Sequence, residues 1–216
     1  MKYMIHTIPL REWYVDKYLI PRMLKQGIDR EDITVYLDDK KDGNLKSCLK
    51  SFASLPEKGH TWHLQDDVII SSKFAQTAYE WDLPFPHDIL CGFCSIYDKS
   101  DIESVNKVED MWYSFQCIRI NNKLAHEFVD WVQQQEADKD SKYLMQINNN
   151  MFDDYLFKSF IKEVHPDDLA IFNLKPNLVD HIDTLIGGSS LYQRNELMRS
   201  MYWEEPELIE ELKKKL

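Results

Sequence analysis

The sequence contains no apolar run of the roughly 20 residues that a membrane-spanning helix needs. Its first residues, Met1–His6, become polar too early for a secretory signal peptide. Cysteine is scarce, with 4 among 216 residues, and without an export signal such thiols are expected to stay reduced. These absences argue against an integral membrane protein or a disulfide-built secreted domain, and we expect a cytoplasmic protein.

An excess of basic charge is also missing, because the formal net charge is −11. Proteins that bind duplex nucleic acid gain most of their affinity by neutralising phosphates. Lysine and arginine are scattered here, and the one run of three, Lys213–Lys215, ends a helix-like segment where cations suit the helix dipole. The sequence therefore argues against nucleic acid as the main partner.

The spacing of Cys91 and Cys94 matches a redox motif, but its context does not. Both lie in an apolar run, Ile89–Tyr97, that is typical of a strand, whereas a reactive pair places its first cysteine at a helix start. A zinc site would need a second ligand pair at short spacing, and none follows. We interpret these cysteines as strand packing.

What the sequence does contain is an alternation of short apolar runs with amphipathic stretches, which predicts an α/β fold. We expect residues 1–190 to form one domain and residues 191–216 a C-terminal helical extension. Strands are predicted at 3–8, 33–37, 62–70, 89–97, 115–120 and 169–174. Helices are predicted at 12–26, from Gly43 to Leu55, after Ser71 or Ser72, after Asn121 or Asn122, at 151–164 and at 204–216.

Two adjacent aspartates, Asp66 and Asp67, interrupt a stretch that otherwise reads as a buried strand, Trp62–Ile70. Aspartate is seldom buried without a cation or a strong hydrogen-bond partner. Mn²⁺ and Mg²⁺ prefer carboxylate oxygens together with phosphate oxygens of a substrate. The pair therefore predicts a divalent-metal site that holds a nucleotide diphosphate, and the alternative is a strand end with solvated acids in a turn.

A second polar group follows the predicted strand Ile33–Leu37. Asp38 and Asp39 end this strand and Asn44 comes shortly after. Polar side chains at strand ends in an α/β crevice can bind a base or a ribose. Ordinary turn chemistry explains Asp and Asn at such positions equally well.

Two further features occur late in the chain. Asp153 and Asp154 fall in the first turn of a predicted helix, where the dipole stabilises acids, and one of them is also a possible general base for an acceptor hydroxyl. His181 follows a predicted strand, where a loop could fold back over a metal, and neutral imidazole is a suitable ligand for Mn²⁺. A lone histidine is more often structural.

The order of these features resembles glycosyltransferases of the A-type fold, in the family 25-like group or a related small bacterial or viral group. Gln65–Val68 looks like the Glu-Asp-Asp-Val form of the Asp-x-Asp motif. Asp153–Leu156 looks like the acidic catalytic element, and Pro176–His181 looks like a Pro-Ser-Leu-Val-Gln-His segment. The resemblance spans roughly residues 1–190.

The resemblance implies a nucleotide-binding domain with a mixed central sheet flanked by helices. It implies metal-dependent transfer of a glycosyl group from a nucleotide-sugar, most often a UDP-sugar, to a hydroxyl-bearing acceptor. Asp67 and His181 would hold Mn²⁺ or Mg²⁺ on the diphosphate, with Asp66 nearer the ribose. These are the expected metal and donor ligands.

For the remaining residues, the resemblance implies that Asp38, with Asn44 nearby, contacts the base or ribose. Asp154, or with less support Asp153, would accept the proton of the acceptor if the anomeric centre inverts, and retention would remove that role. The donor sugar, the acceptor, the stereochemical outcome and the oligomeric state are not readable from the sequence.

Three rival functions stay open at this level. A nucleotidyltransferase would usually carry a glycine-rich phosphate loop near the first strand, but Tyr3–Arg11 contains no glycine. A non-catalytic nucleotide- or sugar-binding protein with a degenerate site is suggested by Gln65, which replaces an acid of the motif. A transferase acting on modified DNA bases is disfavoured by the acidic charge.

Overall fold

A computed structural model describes residues 1–80, 89–91, 115–150, 153–166, 169, 171–174, 177–186 and 206–214. The strands are β1 (Lys2–Thr7), β2 (Ile33–Leu37), β3 (His60–Gln65), β4 (Val68–Ile70), β5 (Ile89–Cys91), β6 (Cys117–Asn121), β7 (Ile171–Asn173) and β8 (Val179–His181). The helices are α1 (Glu12–Tyr14, Val15–Leu19 and Ile20–Lys25), α2 (Asn44–Ala53), α3 (Phe74–Glu80), α4 (Asn122–Ala137), α5 (Leu144–Asn148), α6 (Asp153–Val164), α7 (Asp183–Ile186) and α8 (Pro206–Lys213).

The central sheet has six strands in the order β2-β1-β3-β6-β5-β7. Strands β2, β1 and β3 run parallel to one another, β6 is antiparallel to both β3 and β5, and β7 is parallel to β5. A second, two-stranded sheet pairs β4 with β8 in antiparallel fashion. The predicted α/β fold with a mixed central sheet flanked by helices is confirmed.

Alternating residues of β1 show how helices cover both faces of this sheet. Tyr3 and Ile5 are buried in a cluster with residues of α1, α3, the β4-β8 sheet, α7 and α8. Met4 is buried in a second cluster with residues of α2, α4, α5 and α6. Because successive side chains of a strand point to opposite faces, the two clusters lie on opposite sides of the sheet.

Helix α1 begins where the sequence predicts it, and Pro21 does not break it. Val15–Leu19 adopts a π-helical turn, and Pro21 lies in the first turn of the α-helical segment that follows. Proline has no N–H to donate and its ring crowds the preceding turn, so a wider turn at this point accommodates it. Gly27, with φ +87°, lies just beyond the helix end, where the sequence predicts a stop.

Most other predicted elements appear with small changes at their ends. Helix α4 begins after Asn121, whose side chain accepts a hydrogen bond from the backbone N–H of Lys123 at 3.0 Å. On α3, helical spacing predicts that Phe74, Ala75, Ala78 and Tyr79 face inward. Phe74 and Ala78 are buried, but the prediction is wrong for Tyr79, which is 68% exposed. Of the predicted strand 89–97, residues 92–97, including Cys94, lie outside the described residues.

The last described helix, α8, packs on the rest of the protein. Leu212 is fully buried among residues of the first cluster, and the hydroxyl of Tyr18 donates to Oε1 of Glu211 at 2.5 Å. The division of the chain at residue 190 stays a prediction. Among the described residues, no helix is both long and apolar enough to cross a bilayer.

Candidate functional site

The carboxyl ends of the three parallel strands bring polar residues to one edge of the sheet. Strand β1 ends at Thr7, β2 is followed by Asp38, and β3 is followed by Asp66. The backbone N–H of Asp38 donates to the carbonyl of Thr7 at 2.8 Å, which fixes β2 to β1 at this edge. Ligands of open α/β sheets bind outside such carboxyl ends.

Asp66 and Asp67 lie in a turn between two strands, so the expected single strand through Trp62–Ile70 is wrong in detail. Strand β3 belongs to the central sheet, whereas β4 belongs to the two-stranded sheet with β8. The turn carries the chain from one sheet to the other. Both aspartates are nevertheless more than nine-tenths buried, with 5% and 8% of their surface exposed.

Both carboxylate oxygens of Asp66 already accept hydrogen bonds. Oδ2 accepts from the hydroxyl of Thr7 at 2.8 Å and from the backbone N–H of Ile8 at 3.2 Å. Oδ1 accepts from Nη1 of Arg11 at 2.8 Å. Burial and the neighbouring Asp67 nevertheless raise the pKa of Asp66. Asp66 therefore holds the segment after β1 in place, and its predicted contact with a ribose stays a prediction.

Asp67 is held less completely. Oδ2 contacts Nη1 of Arg11 at 2.9 Å and Nε2 of His181 at 3.2 Å. Oδ1 is buried and has no hydrogen-bond partner among the described residues. Burial opposes the charge of this carboxylate, but His181 and Arg11 outweigh burial and hold the pKa of Asp67 well below its usual range. Asp67 is thus ionised and has one oxygen available to a further partner.

The register of the small sheet delivers His181 to this place. His181 lies opposite Val68 in the β4-β8 pair, and the backbone N–H of Ile182 donates to the carbonyl of Asp67 at 2.7 Å. The sequence predicts that a late loop brings His181 back, but a strand does so. A strand pair holds the imidazole more rigidly than a loop would.

Arg11 lies at the centre of the site, although no pattern in the sequence points to it. Its Nη1 lies within 3 Å of both aspartates, and only 8% of the residue is exposed. Burial works against its charge, but Asp67 and Asp66 raise the pKa of the guanidinium. Only a general argument could have predicted its role from the sequence. Two buried carboxylates need a cationic neighbour, and Arg11 comes shortly after the first strand.

These residues fit a divalent cation only in part. Among the described residues, no group of three or more His, Cys, Asp or Glu is arranged to hold a metal. Asp67 and His181 are compatible with one, because their 3.2 Å separation is near the roughly 3 Å between adjacent ligands of an octahedral ion. Asp66 fits less well than Asp67, since both its oxygens already accept hydrogen bonds. A cation here would depend on phosphate oxygens and water for the rest of its shell.

The loop after β2 shows mainly turn chemistry. Asp38 is 3% exposed, and its carboxylate accepts hydrogen bonds from the backbone N–H groups of Asp42 at 2.9 Å and Gly43 at 3.2 Å. Asn44 donates from Nδ2 to Oδ1 of Asp153 at 3.2 Å. The expected contacts of Asp38 and Asn44 with a base or ribose stay predictions.

The contact between Asn44 and Asp153 joins two predicted groups that are 109 residues apart in sequence. Asp153 is 4% exposed, and its Oδ2 is buried without a hydrogen-bond partner among the described residues. Burial and the adjacent Asp154 raise the pKa of Asp153 to about 7. Asp154 is only partly buried, and burial raises its pKa too. Of the two, Asp154 is the more accessible carboxylate.

A buried pair of histidines, His6 and His63, lies on the α2 side of the sheet, with ring centroids 6.0 Å apart. Nε2 of His6 is 2.5 Å from the hydroxyl of Ser47. Burial lowers the pKa of His6 to about 4, although Asp38 and Asp67 oppose the shift, and burial together with His6 lowers the pKa of His63 to about 3. Both imidazoles are therefore neutral near pH 7.

No family model matches the sequence, and no curated protein is similar to it. Among solved structures, the chain is similar to galactosyltransferase LgtC in complex with donor and acceptor sugar analogues, with a TM-score of 0.48, 12% identity, and coverage of 100% of this chain and 96% of that one. An active-site mutant of LgtC gives a TM-score of 0.42 at the same identity and coverage.

HddC from Yersinia pseudotuberculosis gives a TM-score of 0.37 at 8% identity, covering 81% of this chain and 90% of that chain. Because all three TM-scores lie below 0.5, we base the functional proposal on the residues of this chain.

Proposed function

We propose that this protein is a glycosyltransferase that uses a nucleotide-sugar, a UDP-sugar first of all, to glycosylate an acceptor hydroxyl. The observation that carries the proposal is Asp67: a buried, ionised carboxylate with one oxygen beside His181 and the other without a partner among the described residues. Such a group at the carboxyl edge of a parallel sheet is suited to a cation that binds a diphosphate.

When bound, Mn²⁺ or Mg²⁺ would stabilise the negative charge that develops on the diphosphate as its bond to the sugar breaks. Asp67 and His181 are the residues that would hold it. Asp66 fixes the end of β1 and the residue after it beside them, because its Oδ2 accepts hydrogen bonds from the hydroxyl of Thr7 at 2.8 Å and from the backbone N–H of Ile8 at 3.2 Å. Asp38 shapes the neighbouring loop, where the base and ribose would lie.

Proton removal from the acceptor belongs to Asp154 in this proposal. A general base needs access to its substrate and a pKa nearer the working pH than that of a free carboxylate. Asp154 meets both conditions, since it is partly exposed and burial raises its pKa. Asp153 is held by Asn44 and is better placed to orient the start of α6 than to meet an acceptor.

The proposal is tested by incubating the protein with Mn²⁺ and each of UDP-glucose, UDP-galactose and UDP-N-acetylglucosamine and measuring release of UDP. Slow hydrolysis of the UDP-sugar, without an added acceptor, is enough to reveal a donor site. We expect release with at least one donor and its loss in Asp67→Asn, by about 100-fold or more, since a residue that stabilises developing charge contributes that much.

Asp29→Asn is the matched control, because Asp29 is exposed and precedes β2 at the opposite edge of the sheet. It should release UDP at the wild-type rate. Binding of UDP with Mn²⁺ in a melting assay but no turnover with any donor or acceptor would favour a non-catalytic binding protein. Absence of both binding and turnover with UDP, GDP, ADP and CDP compounds would reject the donor site. The cytoplasmic location stays a prediction.

A further inference from the structure

Arg11 occupies the position of a counter-cation between the two aspartates. The same nitrogen, Nη1, lies 2.8 Å from Oδ1 of Asp66 and 2.9 Å from Oδ2 of Asp67. All three side chains are nearly inaccessible to water, so their mutual attraction is little screened. Any further cation that approaches Asp67 therefore meets a positive charge already in place.

The carboxylate oxygen of this cluster that lacks a partner among the described residues belongs to Asp67. Its Oδ1 is buried without a partner among the described residues, while Oδ2 is shared between Arg11 and His181. Two carboxylates and one guanidinium leave a net charge of about −1. A divalent cation alone would turn this into about +1 in a buried place, which is unfavourable. A diphosphate bound with the cation would bring the sum back to negative.

We propose that Arg11 is an internal competitor of the divalent cation, which keeps cation affinity low until a diphosphate binds and thereby couples the two binding events. This inference rests on the proposed donor site. A diphosphate also offers the guanidinium new partners, because arginine pairs readily with phosphate oxygens. Arg11 is therefore a positioning residue that shares its contacts between Asp67 and the phosphates, according to what is bound.

The test is a titration of Mn²⁺ into the full chain, with free Mn²⁺ measured by electron paramagnetic resonance, with and without UDP. For the wild type, we expect weak binding of Mn²⁺ alone and at least about 10-fold tighter binding with UDP, a coupling of ordinary size. For Arg11→Gln, we expect Mn²⁺ alone to bind at least about 10-fold tighter than in the wild type, with a smaller gain from UDP.

Two controls separate competition from a general change in charge. Arg11→Lys keeps the positive charge and should keep the affinity for Mn²⁺ alone low. Arg30→Gln removes an exposed arginine near the start of β2 and should leave Mn²⁺ binding unchanged. If Arg11→Gln does not fold, the single variant Asp66→Asn is compared with the double variant that carries Asp66→Asn and Arg11→Gln. The double variant should bind Mn²⁺ more tightly than the single variant.

Equal or weaker Mn²⁺ affinity in folded Arg11→Gln would overturn the inference, and so would the absence of Mn²⁺ binding to both proteins with and without UDP. In that second case, UDP binding in chelator that is lost in Arg11→Gln would identify Arg11 itself as the phosphate-binding cation. Release of UDP from UDP-sugars by the wild type is scored separately. If the wild type releases UDP but Arg11→Gln binds Mn²⁺ no more tightly than the wild type, only the competition by Arg11 is rejected. If the wild type does not release UDP but the Mn²⁺ affinities change as expected, only the proposed activity is rejected.

Discussion

Two buried clusters of this protein are built on opposite principles. The aromatic cluster, on the α2, α4 and α6 side of the sheet, consists of Phe52, Phe115, Phe128, Phe157 and Phe160. The carboxylate cluster, at the carboxyl edge of the parallel strands, consists of Arg11, Asp66, Asp67 and His181. Both exclude water, but only the second contains charges.

In the aromatic cluster, burial and ring packing act together. The rings of Phe128 and Phe157 are perpendicular with centroids 4.9 Å apart, an arrangement that aromatic pairs favour. In the carboxylate cluster, burial opposes the charges, and one oxygen of Asp67 has no partner among the described residues. From this comparison we infer that the aromatic cluster stabilises the fold, whereas the carboxylate cluster holds charges at a cost that the proposed donor site would explain.

The largest effect on stability is expected from Phe157→Ala. Removal of a fully buried ring from the aromatic cluster should lower the free energy of unfolding by about 3–5 kcal/mol, measured by urea denaturation. Tyr155→Ala is the control on the same helix, since Tyr155 is 50% exposed, and it should cost less than about 1 kcal/mol. Equal losses in both variants would contradict the stabilising role of the aromatic cluster.

The next effect separates function from stability at the start of α6. Asp154→Asn should lower the rate of transfer to an acceptor on the order of 100-fold, because it removes a general base. The same variant should keep the wild-type thermal shift with UDP and Mn²⁺. Unchanged transfer would remove Asp154 from the mechanism, as expected for an enzyme that retains the anomeric configuration.

A smaller effect concerns His6, a buried neutral histidine whose ring lies 6.0 Å from that of His63. Since the pKa of His6 is lowered to about 4, its stabilising contribution is complete above the unfolded pKa of about 6.5 and is lost as the pH falls toward 4. Between pH 7.5 and 5, the wild type should therefore lose about 2 kcal/mol more stability than His6→Gln. Parallel pH profiles from urea denaturation of the two proteins would show that His6 is not buried as a neutral group.

The smallest expected effect tests the loop that carries Asp38. Gly43 has φ +85°, and a Cβ there would clash with the side chain of Asn150. Gly59 has φ +98° but open space around it. Both alanine variants should be destabilised by backbone strain, and Gly43→Ala by about 1 kcal/mol more than Gly59→Ala in thermal denaturation. A reversed order would show that this loop is not fixed against Asn150.

Much of the fold was predictable, because it depends on local patterns. Apolar periodicity located β1, β2 and α2, and the preference of asparagine for helix starts placed the beginning of α4 at Asn121 or Asn122. The exposure of Tyr79 was not predictable in this way. Periodicity identifies the apolar face of a helix, but it does not show how far the neighbouring elements cover that face.

The site was predictable only in part. The sequence pointed to Asp67 and His181, and the structure places their side chains 3.2 Å apart, although their role as metal ligands stays a prediction. Arg11 was missed because an arginine 55 residues away carries no local sign of its partners. Likewise, only the fold reveals that Asn44 reaches Asp153 and that Asp38 closes its own turn.

The most direct test of the central claim is a crystal structure of the protein grown with Mn²⁺ and UDP, with anomalous diffraction recorded for manganese. We predict an anomalous peak within bonding distance of Asp67 and His181 and of the diphosphate oxygens, with Arg11 turned from Asp67 toward the phosphates. A structure with bound UDP, no anomalous peak beside Asp67, and Arg11 still bridging both aspartates would contradict the account.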